Sequence, residues 1–270
     1  MRTRAGIILQ ARFNSTRLPG KALEVVGGRT VLEHCLRRLI AAGVARVVLA
    51  TTREREDDAL VAIARHLGAL AYRGDTADVL TRFSDAARFF DIDPVLRATG
   101  DNPAVDVQAP GRVLAALRLT DADYVQEEGL PYGAAVEGMT ARALHRAAAL
   151  AQDPYDREHV TTFIRTNRHI FNVAQVSAPT SLVRASLRLT VDTQDDLDRL
   201  RELFVRTQSD DPSLASLIAA SGPKAPLYNT AMRRTARGSG FGIATPPRTT
   251  RAAGAPVRDS ALASGRQEVA

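Results

Sequence analysis

The chain has 270 residues and a formal net charge of +6, with 45% hydrophobic and 24% charged residues. This composition is typical of a globular protein large enough for one domain with a substantial core. The single cysteine, Cys35, excludes a disulfide framework or a cysteine metal cluster within one chain. The sequence shows no secretory signal and no apolar stretch of about 18 residues, so we expect a cytoplasmic protein with no membrane association.

The positive charge is concentrated at the C-terminal end. From Gly222 onward there are eight Lys or Arg residues against Asp259 and Glu268, and these account for the whole net charge. Residues 1–221 hold the remaining 28 basic and 28 acidic residues, so this part is neutral by count and suggests no nucleic acid partner. Residues 222–270 are rich in Gly, Ala, Pro and Arg, which predicts a disordered basic tail behind a domain spanning residues 1–221.

Short apolar runs alternate with segments of helical period along the chain. The runs predict strands at residues 6–10, 46–51, 69–72, 95–98, 123–126, 171–176 and 186–191. Four amphipathic helices are expected between residues 31 and 117, and three more at residues 140–151, 155–166 and 194–206. Thr193, followed three residues later by Asp196, gives a capping signal for the last helix. This alternation predicts an α/β fold with a mostly parallel sheet covered by helices.

The stretch QARFNSTRLPGK directly follows the first predicted strand and carries three cations, Arg12, Arg17 and Lys21. Loops at the C-terminal ends of strands are where open α/β sheets bind ligands. Backbone amides around Ser15 and Thr16 can form a concave nest for phosphate oxygens, and the following Pro-Gly turn can direct Lys21 to the same anion. The loop therefore predicts a site for a triphosphate, which needs several cations at once.

Two aspartates follow other predicted strands and supply the opposite charge. Asp101 follows the strand at 95–98, and Asp192 follows the strand at 186–191. Proteins hold Mg²⁺ with one or two carboxylates and the phosphates of the substrate. Each aspartate alone is more often a turn former or helix cap, but their occurrence with the phosphate loop favours a Mg²⁺ site.

Several motifs together resemble the cytidylyltransferase-type family related to spore coat polysaccharide biosynthesis protein F and, more distantly, the CMP-Kdo and CMP-sialic acid synthetases. In chain order they are IILQARFNSTRLPGK, ATT at 50–52, YRGDTADVLTRF, RATGDNP, REHVT and LRLTVDTQDDL. The resemblance covers about residues 6–206. It implies a nucleotide-diphospho-sugar transferase fold of glycosyltransferase-A-like, Rossmann-like character, a three-layer αβα sandwich with a mixed, mostly parallel sheet.

The resemblance also implies roles for individual residues. The residues carried over as nucleotide contacts are Gln10, Ala11, Arg12, Ser15, Thr16, Arg17, Lys21, Ala50, Thr51, Arg73, Gly74 and Asp101. Among them, Arg12, Arg17 and Lys21 are expected to be catalytic, and Asp101 and Asp192 to bind Mg²⁺. The acceptor side is expected to use Asn102, Glu137, Arg157 and His159.

We interpret the chain as a Mg²⁺-dependent nucleotidyltransferase that joins the α-phosphate of a nucleoside triphosphate, with CTP favoured by the resemblance, to a small anionic acceptor. The acceptor side departs from the family, because Tyr132 stands where the family usually has an acid after proline. A homodimer is compatible with the resemblance. Two alternatives stay open, a glycosyltransferase on the same fold and a non-catalytic binding protein. The single acid in Gly100-Asp101-Asn102 argues against the first, because glycosyltransferases usually pair two aspartates there.

Overall fold

The computed structural model describes residues 4–43 and 46–222. Its strands are β1 Gly6–Gln10, β2 Val25–Val26, β3 Arg29–Thr30, β4 Arg46–Thr52, β5 Leu70–Gly74, β6 Val95–Thr99, β7 Tyr124–Glu128, β8 Glu137–Met139 and β9 Val173–Ser177. Apart from Gly222, the tail predicted at residues 222–270 lies outside the described residues, so its boundary stays a prediction.

The α-helices alternate with these strands. They are α1 Val31–Ala41, α2 Asp58–His66, α3 Val79–Phe89, α4 Ala109–Thr120, α5 Ala141–Leu150, α6 Pro154–His159, α7 Thr162–Thr166, α8 Gln194–Thr207 and α9 Leu214–Ala220. The predicted capping signal is present, because the Thr193 hydroxyl accepts from the Asp196 amide while the Asp196 carboxylate accepts from the Thr193 amide. Across the described part of the chain, none of these helices has the length and apolar character needed to cross a membrane.

Seven strands form one sheet in the order β5-β4-β1-β6-β8-β7-β9, and β2 and β3 form a separate hairpin. All neighbouring pairs in the large sheet are parallel except those of β8, which runs antiparallel to β6 and β7. The predicted mixed, mostly parallel sheet is therefore confirmed. The C-terminal ends of β1 and β6 lie side by side, with Gln10 paired to Thr99, which brings the two predicted loops together.

Helices cover both faces of the sheet. Ile7 and Leu9 of β1 pack into one apolar cluster, and Ile8 between them packs into the other. This split follows from the alternation of side chains across a strand. The first cluster includes residues of α1, α2, α4, α8 and α9, and the second includes residues of α3, α5 and α7. Both faces of β1 are buried, which explains why its sequence is continuously apolar.

The structure corrects two predicted elements. Residues 186–191 are not a strand of the sheet, because their amides and carbonyls pair with loop residues: Leu189 donates to the carbonyl of Tyr132, and Val191 donates to that of Asp101. The helix predicted at 155–166 is divided into α6 and α7 at Val160, whose φ is 60°. That value is strained for a β-branched residue, and the Val160 side chain is fully buried there.

Candidate active site

A cavity of about 680 Å³ opens where β1 and β6 end. The loop between β1 and Lys21 forms one wall, and the loop after β6, with Asp101 and Asn102, forms the next. Asp192, at the end of the segment 186–192, and His159 of α6 also belong to the lining. The cavity therefore lies at the sheet edge where open α/β folds bind ligands.

The cation-bearing loop is held in shape by Asp57, a buried residue that sequence reasoning did not identify. Its carboxylate accepts from the backbone amide of Phe13 at 2.7 Å and from the Thr51 hydroxyl at 2.6 Å. The loop then closes on itself, because the Gly20 amide donates to the Phe13 carbonyl at 2.9 Å. Gly20 has a φ of 74°, a conformation that favours glycine. These contacts place Lys21 at the start of the next turn, facing the cavity.

Lys21 joins the two predicted metal-binding aspartates. Its ammonium nitrogen lies 2.8 Å from Oδ2 of Asp101 and 3.0 Å from Oδ1 of Asp192. It also donates to the Val191 carbonyl at 2.8 Å. Burial disfavours the charged ammonium, but the two carboxylates outweigh this effect and hold the pKa of Lys21 above its ordinary value. The ammonium is therefore a stable cation between two carboxylates.

More cationic side chains contact the Asp192 carboxylate than the sequence predicted. Its carboxylate contacts Lys21, Arg17 at 2.8 Å and Arg188 at 2.6 Å. Burial opposes its ionisation, but the nearby cations, Lys21 foremost, hold the pKa of Asp192 below its usual range. Arg188 is fixed in turn by Asp196 at 2.8 Å. Asp192 is thus an ionised carboxylate surrounded by three cations before any substrate is present.

Another part of the cavity lining, called here the Glu137 end, is built around Glu137 on β8. Its carboxylate pairs with Arg97 of β6 and accepts from the hydroxyls of Tyr124 and Thr161. Arg165 of α7 lies 3.9 Å away. Burial raises the pKa of Glu137, but Arg97 and the Tyr124 hydroxyl outweigh it, so the pKa is below its ordinary value. This end therefore presents two arginines around one ionised carboxylate.

His159 of α6 and Arg12 of the loop after β1 both lie on the cavity lining. The His159 ring packs against Tyr155 with 4.2 Å between ring centroids, and Arg12 lies 3.7 Å from the carboxylate of Glu158. Burial is the main reason that the pKa of His159 lies below its ordinary value, so the ring is neutral at pH 7. A neutral imidazole can either donate or accept a hydrogen bond at the cavity.

The structure brings most of the predicted site residues to this one cavity. Those on its lining are Gln10, Ala11, Arg12, Ser15, Thr16, Arg17, Lys21, Asp101, Asn102, Glu137, His159 and Asp192. Their individual roles in binding stay predictions.

Five predicted residues lie elsewhere. Ala50 and Thr51 are fully buried in β4, where the Thr51 hydroxyl is used by Asp57. Arg73 pairs with Asp58, and Gly74 is buried beside it; neither Arg73 nor Gly74 is on the cavity lining. Arg157 binds Asp78 of the α3 N-terminus at 2.8 Å. Its guanidinium also donates to the Ala151 carbonyl at 2.6 Å, so it links α6 to α3 rather than facing the cavity.

Sequence reasoning missed four cationic residues near the site. Arg82, Arg97 and Arg165 line the cavity, and Arg188 holds Asp192. A partial signal existed for Arg97, because an arginine in a strand buried on both faces needs a partner. Arg82 belongs to the motif YRGDTADVLTRF and lies on α3, and Arg165 lies on α7, but neither position showed that the side chain faces the cavity.

Comparison with known proteins agrees with this geometry. The sequence profile of the family described as "Cytidylyltransferase" matches residues 6–219. The chain belongs to the cytidylyltransferase family. It is 32% identical over 220 residues to spore coat polysaccharide biosynthesis protein SpsF of Bacillus subtilis, covering 78% of this chain and 91% of that protein.

Two further similarities place the chain within the family. It is 27% identical over 248 residues to a 3-deoxy-manno-octulosonate cytidylyltransferase of Chelativorans sp., covering 75% of this chain and 98% of that one. The solved structure of a cytidylyltransferase from Leptospira borgpetersenii superposes with a TM-score of 0.75 and 29% identity, covering 82% and 94% of the two chains. The predicted family and fold are confirmed, and this cytidylyltransferase family member is a nucleotidyltransferase.

Proposed function

We propose that this protein is a Mg²⁺-dependent transferase that uses CTP, joins its α-phosphate to an oxygen of a small anionic acceptor and releases pyrophosphate. The acceptor class is a carboxylated or phosphorylated sugar, or a phosphonate. The family description and the name of the Chelativorans relative support cytidine as the base. The similarity to SpsF supports a place in polysaccharide biosynthesis, with specialised metabolism as the alternative setting.

The contact of Lys21 with both Asp101 and Asp192 is the observation that carries this proposal. Two carboxylates that converge on one cation offer the hard oxygen donors that Mg²⁺ prefers. No group of three or more metal-ligating side chains exists among the described residues. A divalent ion held here would therefore need substrate oxygens as further ligands, which is how Mg²⁺ is held in nucleotide sites.

The cations around Asp192 can bind phosphate oxygens once a triphosphate is present. Arg17 is 54% exposed in its side chain, so it can turn from Asp192 toward a phosphate without unfolding the loop. Lys21 can likewise exchange its carboxylate partners for phosphate oxygens. This exchange frees Asp101 and Asp192 to act as metal ligands at the moment when the substrate brings the remaining ones.

The reaction then needs positioning and charge neutralisation rather than a covalent intermediate. An acceptor oxygen attacks the α-phosphorus of CTP, the bond between the α-phosphorus and the bridging oxygen breaks, and pyrophosphate leaves with the electron pair. Lys21, Arg17 and Arg12 would stabilise the charge that develops on the pyrophosphate. When bound, Mg²⁺ would neutralise phosphate charge at Asp101 and Asp192.

The Glu137 end of the cavity has the charges and hydrogen-bonding groups that suit an anionic acceptor with hydroxyl groups. Arg97 and Arg165 supply positive charge, while the Glu137 carboxylate can accept a hydrogen bond from a hydroxyl group. The neutral His159 ring and the Asn102 side chain line the space between this end and Lys21.

Pyrophosphate release over a panel of triphosphates and anionic acceptors, with and without Mg²⁺, tests the proposal. We expect release with CTP that requires both Mg²⁺ and an anionic acceptor. Release driven by another triphosphate in preference to CTP would refute the assignment of the base. Transfer from a nucleotide sugar instead would favour a glycosyltransferase, and an absence of turnover together with ligand binding would favour a binding protein.

A further inference from the structure

Arg82 on α3 is a buried cation that forms no direct ion pair with an acidic side chain in the described part of the chain. The residue is 2% exposed, yet it lines the cavity together with Val79, one turn earlier on the same helix. Its guanidinium donates to the backbone carbonyl of Asp75. Its Nε atom is buried and has no hydrogen-bond partner among the described residues. Within that part of the chain no carboxylate oxygen lies within 4.0 Å of it.

The neighbouring carboxylates are all used by other groups. Asp78 is bound by Arg157, and Asp57 accepts from Thr51, Thr52 and the Phe13 amide. One oxygen of Asp75 accepts from the amides of Ala77 and Asp78, at 2.8 Å each. A buried charge is costly unless it is paired. Asp57, Asp75 and Asp78 favour the charged form of Arg82 from a distance, but none of these three carboxylates forms an ion pair with it.

The fold makes room for Arg82 at this position. A Cβ atom on Gly74 would come within 2.8 Å of the Arg82 Cγ atom, so the stem of the arginine occupies the space that Gly74 leaves. Arg12 also lines the cavity, and after burial its charge is the largest influence that lowers the pKa of Arg82. Two cations thus line one cavity, and among the described residues the only ion pair that either of them forms is that of Arg12 with the exposed Glu158.

We propose that Arg82 and Arg12 form an anion subsite that binds a phosphate group of the nucleoside triphosphate. This inference rests on the proposed function, and it adds Arg82, on α3, to the nucleotide contacts expected from the loop that carries Arg12, Arg17 and Lys21. An incoming phosphate supplies the negative charge that the buried guanidinium lacks. The triphosphate would then be held from two sides, by Lys21 and Arg17 near Asp192 and by Arg82 and Arg12 beside α3.

Two substitutions separate this role from a structural one. Arg82→Met keeps the approximate size and removes the charge, and Arg38→Met is the matched control. Arg38 is 3% exposed on α1, lies outside the cavity lining and is paired with Asp211 at 3.0 Å. Arg38→Met removes an ion pair and the donors to two backbone carbonyls, those of Val105 and Pro212. Arg82→Met removes the donor to one carbonyl, so we expect the larger loss of stability in Arg38→Met.

Calorimetric titration with inorganic tripolyphosphate, in the presence of a metal chelator, tests the subsite independently of the base, the acceptor and Mg²⁺. We expect Arg82→Met to weaken binding about 10- to 100-fold, as for loss of a charge-assisted hydrogen bond. Its melting temperature should stay within about 2 °C of wild type. Arg38→Met should lower the melting temperature and leave the affinity unchanged. Arg82→Lys, which keeps a charge, should recover part of the binding.

The outcomes separate the subsite from the proposed function. Weaker tripolyphosphate binding by Arg82→Met, with no CTP-dependent pyrophosphate release by wild type, would refute the cytidylyltransferase assignment and retain the subsite. Equal tripolyphosphate affinity in wild type and Arg82→Met would overturn the subsite, as would the absence of binding by wild type. A large fall in the melting temperature of Arg82→Met, without recovery of binding in Arg82→Lys, would also overturn it and assign Arg82 to the fold.

Discussion

The Lys21 ammonium lies 2.8 Å from the Asp101 carboxylate, although the two residues are 80 positions apart in the chain. The same nitrogen reaches Asp192, a further 91 residues along. The three residues come from different loops, which meet because β1 and β6 are neighbours and the segment before Asp192 pairs with the loop after β6. This junction links the loop proposed to bind phosphate to the two acids proposed to hold Mg²⁺.

We expect Lys21→Ala and Arg17→Ala each to lower turnover by at least about 100-fold, because each removes a charge-assisted contact to the leaving pyrophosphate. Steady-state rates of pyrophosphate release would measure the loss, and circular dichroism would check the fold. Arg37→Ala is a control cation on α1, outside the cavity lining, and should keep wild-type rates. Near wild-type turnover in both loop variants would show that the loop does not bind the leaving group.

Asp101→Asn is expected to raise the Mg²⁺ concentration for half-maximal activity by at least about tenfold, since the amide keeps the shape but loses the charge that attracts a hard cation. Titration of bound Mn²⁺ in the presence of CTP gives a second reading that does not depend on turnover. Asp106→Asn is the matched control, because Asp106 is paired with Arg112 outside the cavity lining. If the metal titrations of Asp101→Asn were the same as those of wild type, Asp101 would be a turn residue and not a metal ligand.

Asp57→Asn should lower the melting temperature at pH 7 and raise the KM for the triphosphate, because the Phe13 amide and two threonine hydroxyls lose a charged acceptor. Burial opposes the ionisation of Asp57, but these hydrogen bonds hold its pKa below its ordinary value. The unfolded state therefore binds the proton more readily, and the stabilisation is present above the unfolded pKa of about 3.9. It is lost as the pH falls through the folded pKa.

Thermal unfolding at a series of pH values measures this dependence. The difference in melting temperature between wild type and Asp57→Asn should shrink as the pH falls below about 4. Asp58→Asn removes the adjacent carboxylate, which is 66% exposed, and should have little effect at any pH. A constant difference for Asp57→Asn across this range would contradict the role given to its charge.

Removal of residues 222–270 is expected to leave the melting temperature and kcat/KM unchanged at physiological ionic strength, because residues 1–221 contain every predicted site residue. The cations of the segment should be screened beyond about 8–10 Å. Arg184 donates to the carbonyl of Gly222, so a chain that ends at Gly222 is the better variant and one that ends at Ser221 its comparison. A loss of more than about tenfold in kcat/KM with the fold intact would show that the tail reaches the site.

Local patterns made most of the fold predictable. The apolar runs of β1, β4 and β6 and the stripes of α1 to α4 agree with the structure because both faces of the central strands are buried. The phosphate loop was recognisable because its cations and turn residues are contiguous. In contrast, β8 was not predicted, because it has only three residues and contains Gly138. Residues 186–191 were predicted as a strand because of their apolar residues, but their backbone pairs with loops and not with the sheet.

Contacts between distant residues account for the parts of the site that were missed. Asp57 holds a loop 44 residues earlier in the chain, and the motif that contains Arg82 does not show that this side chain lines the cavity. Arg157, in contrast, was predicted to be a site residue and is not one. Its motif suggested the acceptor side, but its contacts with Asp78 and Thr81 join two helices. Side-chain direction decides these cases, and only the folded structure provides it.

The fate of the α-phosphate tests the central claim most directly. The protein would be incubated with Mg²⁺, an anionic acceptor and CTP carrying radioactive phosphorus in the α-phosphate, and the products separated by charge. We expect the label in a new conjugate of cytidine monophosphate and the acceptor, formed in equal amount to unlabelled pyrophosphate, and absent without Mg²⁺. Label that remains in CTP while a nucleotide sugar is consumed, or label released as free cytidine monophosphate independently of every acceptor, would contradict the account.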